Sequence, residues 1–228
     1  SGGASLVVAP QIQSIADLRG STISTPALGN TQVVALRAWL AEQGFEATLE
    51  GGGDVSIVPQ ANAQTLETFR SGEIQGAWVP EPWATRLVLE GGGHVLIDER
   101  DLWPGGQFVT THLVVSTTFL DAHPDLVMAI LRGLIRAQDL IASDPLEAQQ
   151  VVNRTIEEIT GRALPGEVIS GAWANLTFTL DPIASSLAES AADAVAAGLL
   201  EPVDLDGIYD LTLLNELLRA AGRPEVSP

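Results

Sequence analysis

Trp78, Glu81 and Trp83 stand within one octapeptide, Gly76-Ala77-Trp78-Val79-Pro80-Glu81-Pro82-Trp83. Indole rings offer an apolar wall, and a carboxylate offers a charge or a hydrogen-bond acceptor. The peptide reads as a short apolar strand that ends at a proline and turns at once into a helix. Pro82 suits the first helical position and Glu81 the cap before it. In open α/β sheets ligands sit at such strand-to-helix junctions. A second junction lies upstream, at Thr25-Pro26-Ala27-Leu28-Gly29-Asn30-Thr31-Gln32. There Gly29, Asn30, Thr31 and Gln32 follow a strand and open a helix. Free backbone N–H groups and the helix dipole at such a start favour an anion by about 0.3–1 kcal/mol. The Asn amide and Thr hydroxyl add hydrogen-bonding groups. Together the junctions point to a small molecule, an anion with an apolar body. A plainer reading stands beside each: Asn30 as an ordinary N-cap, Trp78 as core, Trp83 as surface cover. Glu81 as a helix cap fits the same view, because a carboxylate repels an anion unless the ligand also carries an amine.

Thr110-Thr111-His112 lies where the texture of the chain changes. A hinge or crossover there would line a cleft, and its hydroxyls could donate to a ligand; the alternative is a plain strand with a polar edge. Arg100-Asp101-Leu102-Trp103-Pro104-Gly105-Gly106-Gln107 is a polar loop with one tryptophan, either the rim of a cleft or a solvated turn. His94 and His123 sit at a strand start and a helix cap. Three scattered histidines without clustered acids argue against a metal site. No Gly-x-Ser-x-Gly, Walker loop or dinucleotide glycine pattern is present. No acidic pair is placed for acid–base work, so the chain is expected to be a binding protein without cofactor or catalytic residues.

The elements that must hold these groups alternate over residues 5–110. Strands are expected at Leu6-Val7-Val8-Ala9, Thr22-Ile23-Ser24-Thr25, Val55-Ser56-Ile57-Val58, 75–79 and 94–98. Ser14-Ile15-Ala16-Asp17 has capping-box spacing. Helices are expected over 31–43, from a cap at Asn62 to Arg70, and from Pro82 to Leu89. Strand–helix alternation implies a mostly parallel sheet with helices on its faces. Glu50-Gly51-Gly52-Gly53 and Glu90-Gly91-Gly92-Gly93 both lead into strands, the reverse of a phosphate loop. After a single strand at Thr111-His112-Leu113-Val114-Val115-Ser116 the pattern becomes helical. Leu126, Val127, Ile130, Leu131, Leu134 and Ile135 form a 3.6-period stripe from Pro124 onward, continued by Leu140 and Ile141. More helices are expected near 145–160, 165–175, 182–198 and 208–221. Such stripes need a surface to bury against, yet this half offers one strand. The chain is therefore expected to be a piece of a longer protein.

Composition narrows the partners. The 228 residues suit one large domain or two small lobes, and 46% hydrophobic with 18% charged residues indicates a real core. The net charge is −18, and all eleven basic residues are arginine. No basic run exists to neutralise phosphates, which argues against nucleic acid and against anionic membrane surfaces. The absence of cysteine removes disulfides, thiolate metal sites and thiol nucleophiles. No apolar run reaches the ~20 residues of a membrane helix.

With these segments assembled, the chain resembles the substrate-binding proteins of ABC importers for aliphatic sulfonates, nitrate and taurine, most of all the sulfonate branch. The resemblance rests on Ser14-Ile15-Ala16-Asp17-Leu18-Arg19-Gly20, on Gly29-Asn30-Thr31-Gln32 and on Glu67-Thr68-Phe69-Arg70-Ser71-Gly72-Glu73-Ile74-Gln75-Gly76-Ala77-Trp78. Glu81-Pro82-Trp83, Asp98-Glu99-Arg100-Asp101-Leu102-Trp103, Ala172-Trp173 and Asp181-Pro182-Ile183-Ala184 extend it along nearly the whole chain. It implies a type II periplasmic-binding-protein-like α/β fold of two lobes around a cleft. Residues 7–108 would be the second lobe, 109–228 the mostly helical C-terminal part of the first, and 1–6 a crossover segment. The opening βαβ region of such proteins would have no counterpart here, and the first lobe is expected to be incomplete in this chain. A sulfonate head is implied at Gly29 to Gln32, with an alkyl tail along Trp78 and Trp83 and Thr110, Thr111 and His112 nearby. The implied partners are a small anion of the alkanesulfonate, taurine or nitrate class and an importer permease, at a periplasmic or lipid-anchored location. Two rivals accompany this reading: a ligand-sensing domain of a regulator, and a desulfinase-like enzyme of the same fold. The enzymes of that resemblance rely on a cysteine, which this chain lacks.

Overall fold

A computed structural model describes residues 1–48 and 51–228. Five strands form one mixed sheet: β1 (Ala4–Val8), β2 (Thr22–Thr25), β3 (Ser56–Pro59), β4 (Gly76–Pro80) and β5 (His94–Asp98), in the order β3-β2-β4-β1-β5. Strand β2 runs parallel to β3 and to β4, whereas β1 lies antiparallel between β4 and β5. The sheet is thus mostly parallel with one reversed strand. The expected strand at Leu6 starts earlier, at Ala4, and pairs Ala4 with Pro80.

Side-chain alternation on the strands divides the core. Leu6, Val8, Ile23 and Trp78 face α1 (Thr31–Glu42), with Leu36, Trp39 and Leu40 packed on them. Val7, Ala77 and Val79 face the other way, against Leu66 and Phe69 of α2 (Asn62–Ser71) and Ala84 and Leu87 of α3 (Trp83–Leu89). Period two in the strands and period 3.6 in the helices meet on both faces, as strands buried on two sides require. The capping box at Ser14 opens a single 3₁₀ turn, with the Asp17 carboxylate accepting from the Ser14 backbone N–H. Of the two glycine connections, Gly91–Gly93 leads into β5 as expected, and Glu50 of the other lies outside the described residues.

The second half is helical: α4 (Thr117–Ala122), α5 (Pro124–Ser143), α6 (Pro145–Thr160), α7 (Gly166–Ala174), α8 (Ala184–Ala196) and α9 (Thr212–Ala220). Helix α8 packs on α1 and α7 on α3, while α5 packs against α6 and α9. The strand expected at Thr111–Ser116 does not form. Among the described residues it has no neighbouring strand to pair with, and Val114 is 82% exposed. The α5 stripe is half satisfied for the same reason: Val127 is buried, but Leu126, Ile130 and Leu134 stay exposed because no sheet lies beneath them. Among the described residues no helix is long and apolar enough to cross a membrane.

Candidate functional site

The parallel strands β2, β3 and β4 deliver their carboxyl ends to one edge, and both predicted junctions lie there. Strand β2 ends at Thr25, whose side chain is wholly buried and whose Oγ1 has no hydrogen-bond partner. The chain turns through Gly29, at φ +79°, a left-handed geometry that glycine adopts without strain. Asn30 then caps α1, its Oδ1 accepting from the Val33 N–H at 3.0 Å. The remaining first-turn N–H groups have no intrahelical acceptor. Thr31 beside them is exposed and Gln32 is buried.

Next along the edge, the Gln60 N–H donates to the Thr25 carbonyl at 2.8 Å. The sequence suggests Asn62 as the cap of α2, but Ala61 occupies that place and Asn62 is the first helical residue. Its Oδ1 is buried without a partner. Thr25 and Asn62 are therefore two unsatisfied side chains on the edge that also holds the α1 N-terminus. Sequence reading missed Thr25, because a threonine closing a strand carries no signal of its own. Loss of the Asn30 cap should be measurable: Asn30→Ala is expected to lower stability by about 1 kcal/mol in thermal unfolding, and an unchanged midpoint would refute the capping role.

At the end of β4, Glu81 acts as a cap, one residue out of the expected register. Pro82 is the N-cap and Trp83 the first helical residue. Glu81 Oε2 accepts from the Thr85 N–H at 3.0 Å and Oε1 from the Thr85 hydroxyl at 2.9 Å. Asn175, just past α7, donates its Nδ2 to Glu81 Oε1 at 2.6 Å, and Arg100 donates to Asn175 Oδ1 at 3.4 Å. Arg100 is held by the Asp98 carboxylate; burial pushes that carboxyl up, but the Arg100 hydrogen bonds win and keep it below the usual range. A groove of about 460 Å³ opens between α3 and α7, lined by Glu81, Thr85, Val88 and Asn175 among others.

The tryptophans divide as the plainer reading anticipates. Trp78 lines no opening: it is 0% exposed, tilted against Trp39 at 5.9 Å, and donates Nε1 to Glu99 Oε2 at 2.7 Å. The reason is its register, which turns it to the α1 face in mid-strand rather than to the edge. Trp83 is half-buried, with the Arg86 guanidinium 4.5 Å from its ring centre. Thr110 donates to the Gly2 carbonyl at 2.7 Å, and the Phe108 N–H donates to Ser1 Oγ at 3.2 Å. Residues 1–3 and 107–110 thus run past one another between the two halves. Thr111 is exposed, and His112 turns away from Gly2 to donate Nε2 to the Pro182 carbonyl at 2.8 Å, edge-on to Tyr209.

Glu99 is the other residue that sequence reading passed over. It is 3% exposed, and burial raises its pKa to about 7 against the opposing hydrogen bonds from Trp78 and Trp103, with Asp98 adding a smaller push upward.

Residues 6–156 match the model of the NMT1-like family. The taurine-binding periplasmic protein of Escherichia coli strain K12 is 30% identical over 141 residues, which are 61% of this chain and 41% of that protein. The alkanesulfonate-binding protein SsuA from Xanthomonas axonopodis pv. citri, bound to MOPS, superimposes with a TM-score of 0.66 at 19% identity, covering 88% of this chain and 66% of that one. The periplasmic nitrate-binding protein NrtA from Synechocystis PCC 6803 gives 0.70 at 16% identity, covering 98% and 66%. A mutant of DszB in complex with biphenyl-2-sulfinic acid gives 0.57 at 20% identity, covering 96% and 76%. The periplasmic-binding fold is common to these structures and to this chain. The chain spans less than half the length of the curated relatives it matches.

Proposed function

The chain belongs to the NMT1-like family, and from that premise we propose that it is the extracytoplasmic solute-binding part of an ABC importer that takes up a small organosulfonate-type anion. The observation that carries the reading is the edge beside the α1 N-terminus, where Thr25 and Asn62 lack partners. A hydroxyl can donate to an anion, and an amide turned over presents its NH₂. Backbone N–H groups at a helix start need no side-chain charge to hold an anion. The net charge of −18 does not forbid it, because the global field is screened over ~8 Å at physiological salt while contact donors act at hydrogen-bond range. Closure of the lobes around the ligand would then offer the loaded protein to a permease.

Thermal unfolding tests the reading, on this chain and on a version extended with its native upstream sequence, against alkanesulfonates, taurine, nitrate and bicarbonate. A ligand at 100 times its Kd adds about 2.7 kcal/mol. Stabilisation of the extended form by a sulfonate is the expected result. Silence toward every anion in both forms would sink it. A desulfinase-like enzyme is the rival that the DszB fold likeness keeps in view; sulfite release from an aryl sulfinate would establish that rival instead.

A further inference from the structure

The Glu99 carboxyl joins four segments of the chain. Glu99 opens the 3₁₀ turn that follows β5 (Glu99–Leu102), and it is buried beneath that turn. The neutral Trp78 indole of β4 donates to it at 2.7 Å, and the Trp103 indole at the end of the turn also favours its charged form. Trp103 in turn stacks on Phe108, with ring centres 5.6 Å apart and planes 17° from parallel. Phe108 is 3% exposed, and its backbone is tied to Ser1 while Thr110 is tied to Gly2. Packed contacts therefore run without a break from Glu99 to the segments that connect the two halves.

The charges around this carboxyl do not balance it. On its own turn stand Asp98 and Arg100, already engaged with each other, and the exposed Asp101. Strand β1, packed against the turn, reads Ala-Ser-Leu-Val-Val and carries no titratable side chain. Strand β4 leads only to Glu81, which Thr85 and Asn175 hold. Helix α1, whose Trp39 meets Trp78, carries Arg37 and Glu42. Indole N–H groups favour the carboxylate, but burial without a cation favours the neutral acid, and burial wins. An ionised one is a buried charge held by neutral donors alone, and such a charge is costly.

We propose that Glu99 is a positioning residue that couples proton uptake to the connection between the halves. With the proton on, the turn is seated between Trp78 and Phe108. When the proton leaves to solvent, the carboxylate draws the turn outward and loosens the stack on Phe108. The raised pKa of about 7 puts this exchange in the neutral range. The inference needs no ligand, so it stands or falls separately from the transport reading.

Amide hydrogen exchange over residues 99–110 of the intact chain, corrected for intrinsic rates, tests it between about pH 5.5 and 8.5. Opening should grow by up to about tenfold per pH unit below the midpoint and level off above it, with a parallel change in tryptophan fluorescence. Glu99→Gln should remain protected throughout. Trp103→Phe keeps the stack but removes one donor, so its midpoint should move upward; it also serves if the glutamine variant fails to fold. Flat exchange across the range overturns the proposal. So does a transition that survives in Glu99→Gln, which would assign the titration to another group, such as the Ser1 amino group beside Phe108, whose pKa burial lowers.

Discussion

Replacing Trp78 with alanine is expected to destabilise the fold by about 3–5 kcal/mol, the range for deleting a buried aromatic ring. Two losses add. The side chain is fully buried between β4 and α1, against Trp39 and in the cluster with Leu6, Ile23 and Leu36, so its removal leaves a cavity in the larger core. It also supplies a hydrogen bond to Glu99, and an acceptor left alone in the core costs about 1–3 kcal/mol more. Against a typical stability of about 5–15 kcal/mol, the variant should unfold at much lower urea. Trp78→Phe separates the terms, since it keeps a ring and loses the N–H. Its expected loss is smaller, about 1–3 kcal/mol. If the alanine variant loses less than about 1 kcal/mol by circular dichroism in urea, Trp78 is not the core residue described here. Its place at a pocket wall would then have to be reconsidered.

That tryptophan also marks the boundary of what a sequence can tell. The period of the apolar residues places the five strands, α1, α2, α3 and the later helices close to where they lie, because local pattern and burial agree there. Reversal of β1 leaves no local trace, since strand direction depends on which neighbours accept it. Trp78 and Trp83 are five residues apart and look equivalent at one strand-to-helix junction. Only the pleat, counted from Ala77 and Val79 on the opposite face, assigns one to the core and the other to the surface. The run from Thr111 to Ser116 has β-type residues, but a strand is a property of a pair, and no partner lies alongside. The states of Thr25, Asn62 and Glu99 are invisible for a related reason: an unsatisfied or titrating group is defined by what surrounds it, and those surroundings come from other segments, as Trp78 stands 21 residues from the Glu99 it donates to.

The second large effect is a pH dependence with an unusual sign. Most shifted carboxyls here lie below their ordinary values, as Asp17, Glu90, Asp98 and Asp210 do. Their contribution is present above the unfolded pKa and disappears on acidification. Glu99 works the other way. Its folded pKa of about 7 lies above the ordinary 4.5, so between those values the unfolded chain has released a proton that the native state keeps. Stability then falls as pH rises through that window, by up to about 1.36 kcal/mol per unit, and levels off above the folded pKa. Over the whole window the loss is about 3 kcal/mol. Glutamine at position 99 cannot ionise, and whatever its amide costs in packing is the same at every pH. The free-energy difference between Glu99→Gln and the natural chain should therefore grow in the variant's favour from about pH 4.5 to 7 and then stay constant. Urea unfolding at half-unit steps measures it, and subtraction cancels the other carboxylates. A difference that stays level across the window would mean that Glu99 ionises in the core as readily as in water, and that the two indole donors suffice to hold its charge.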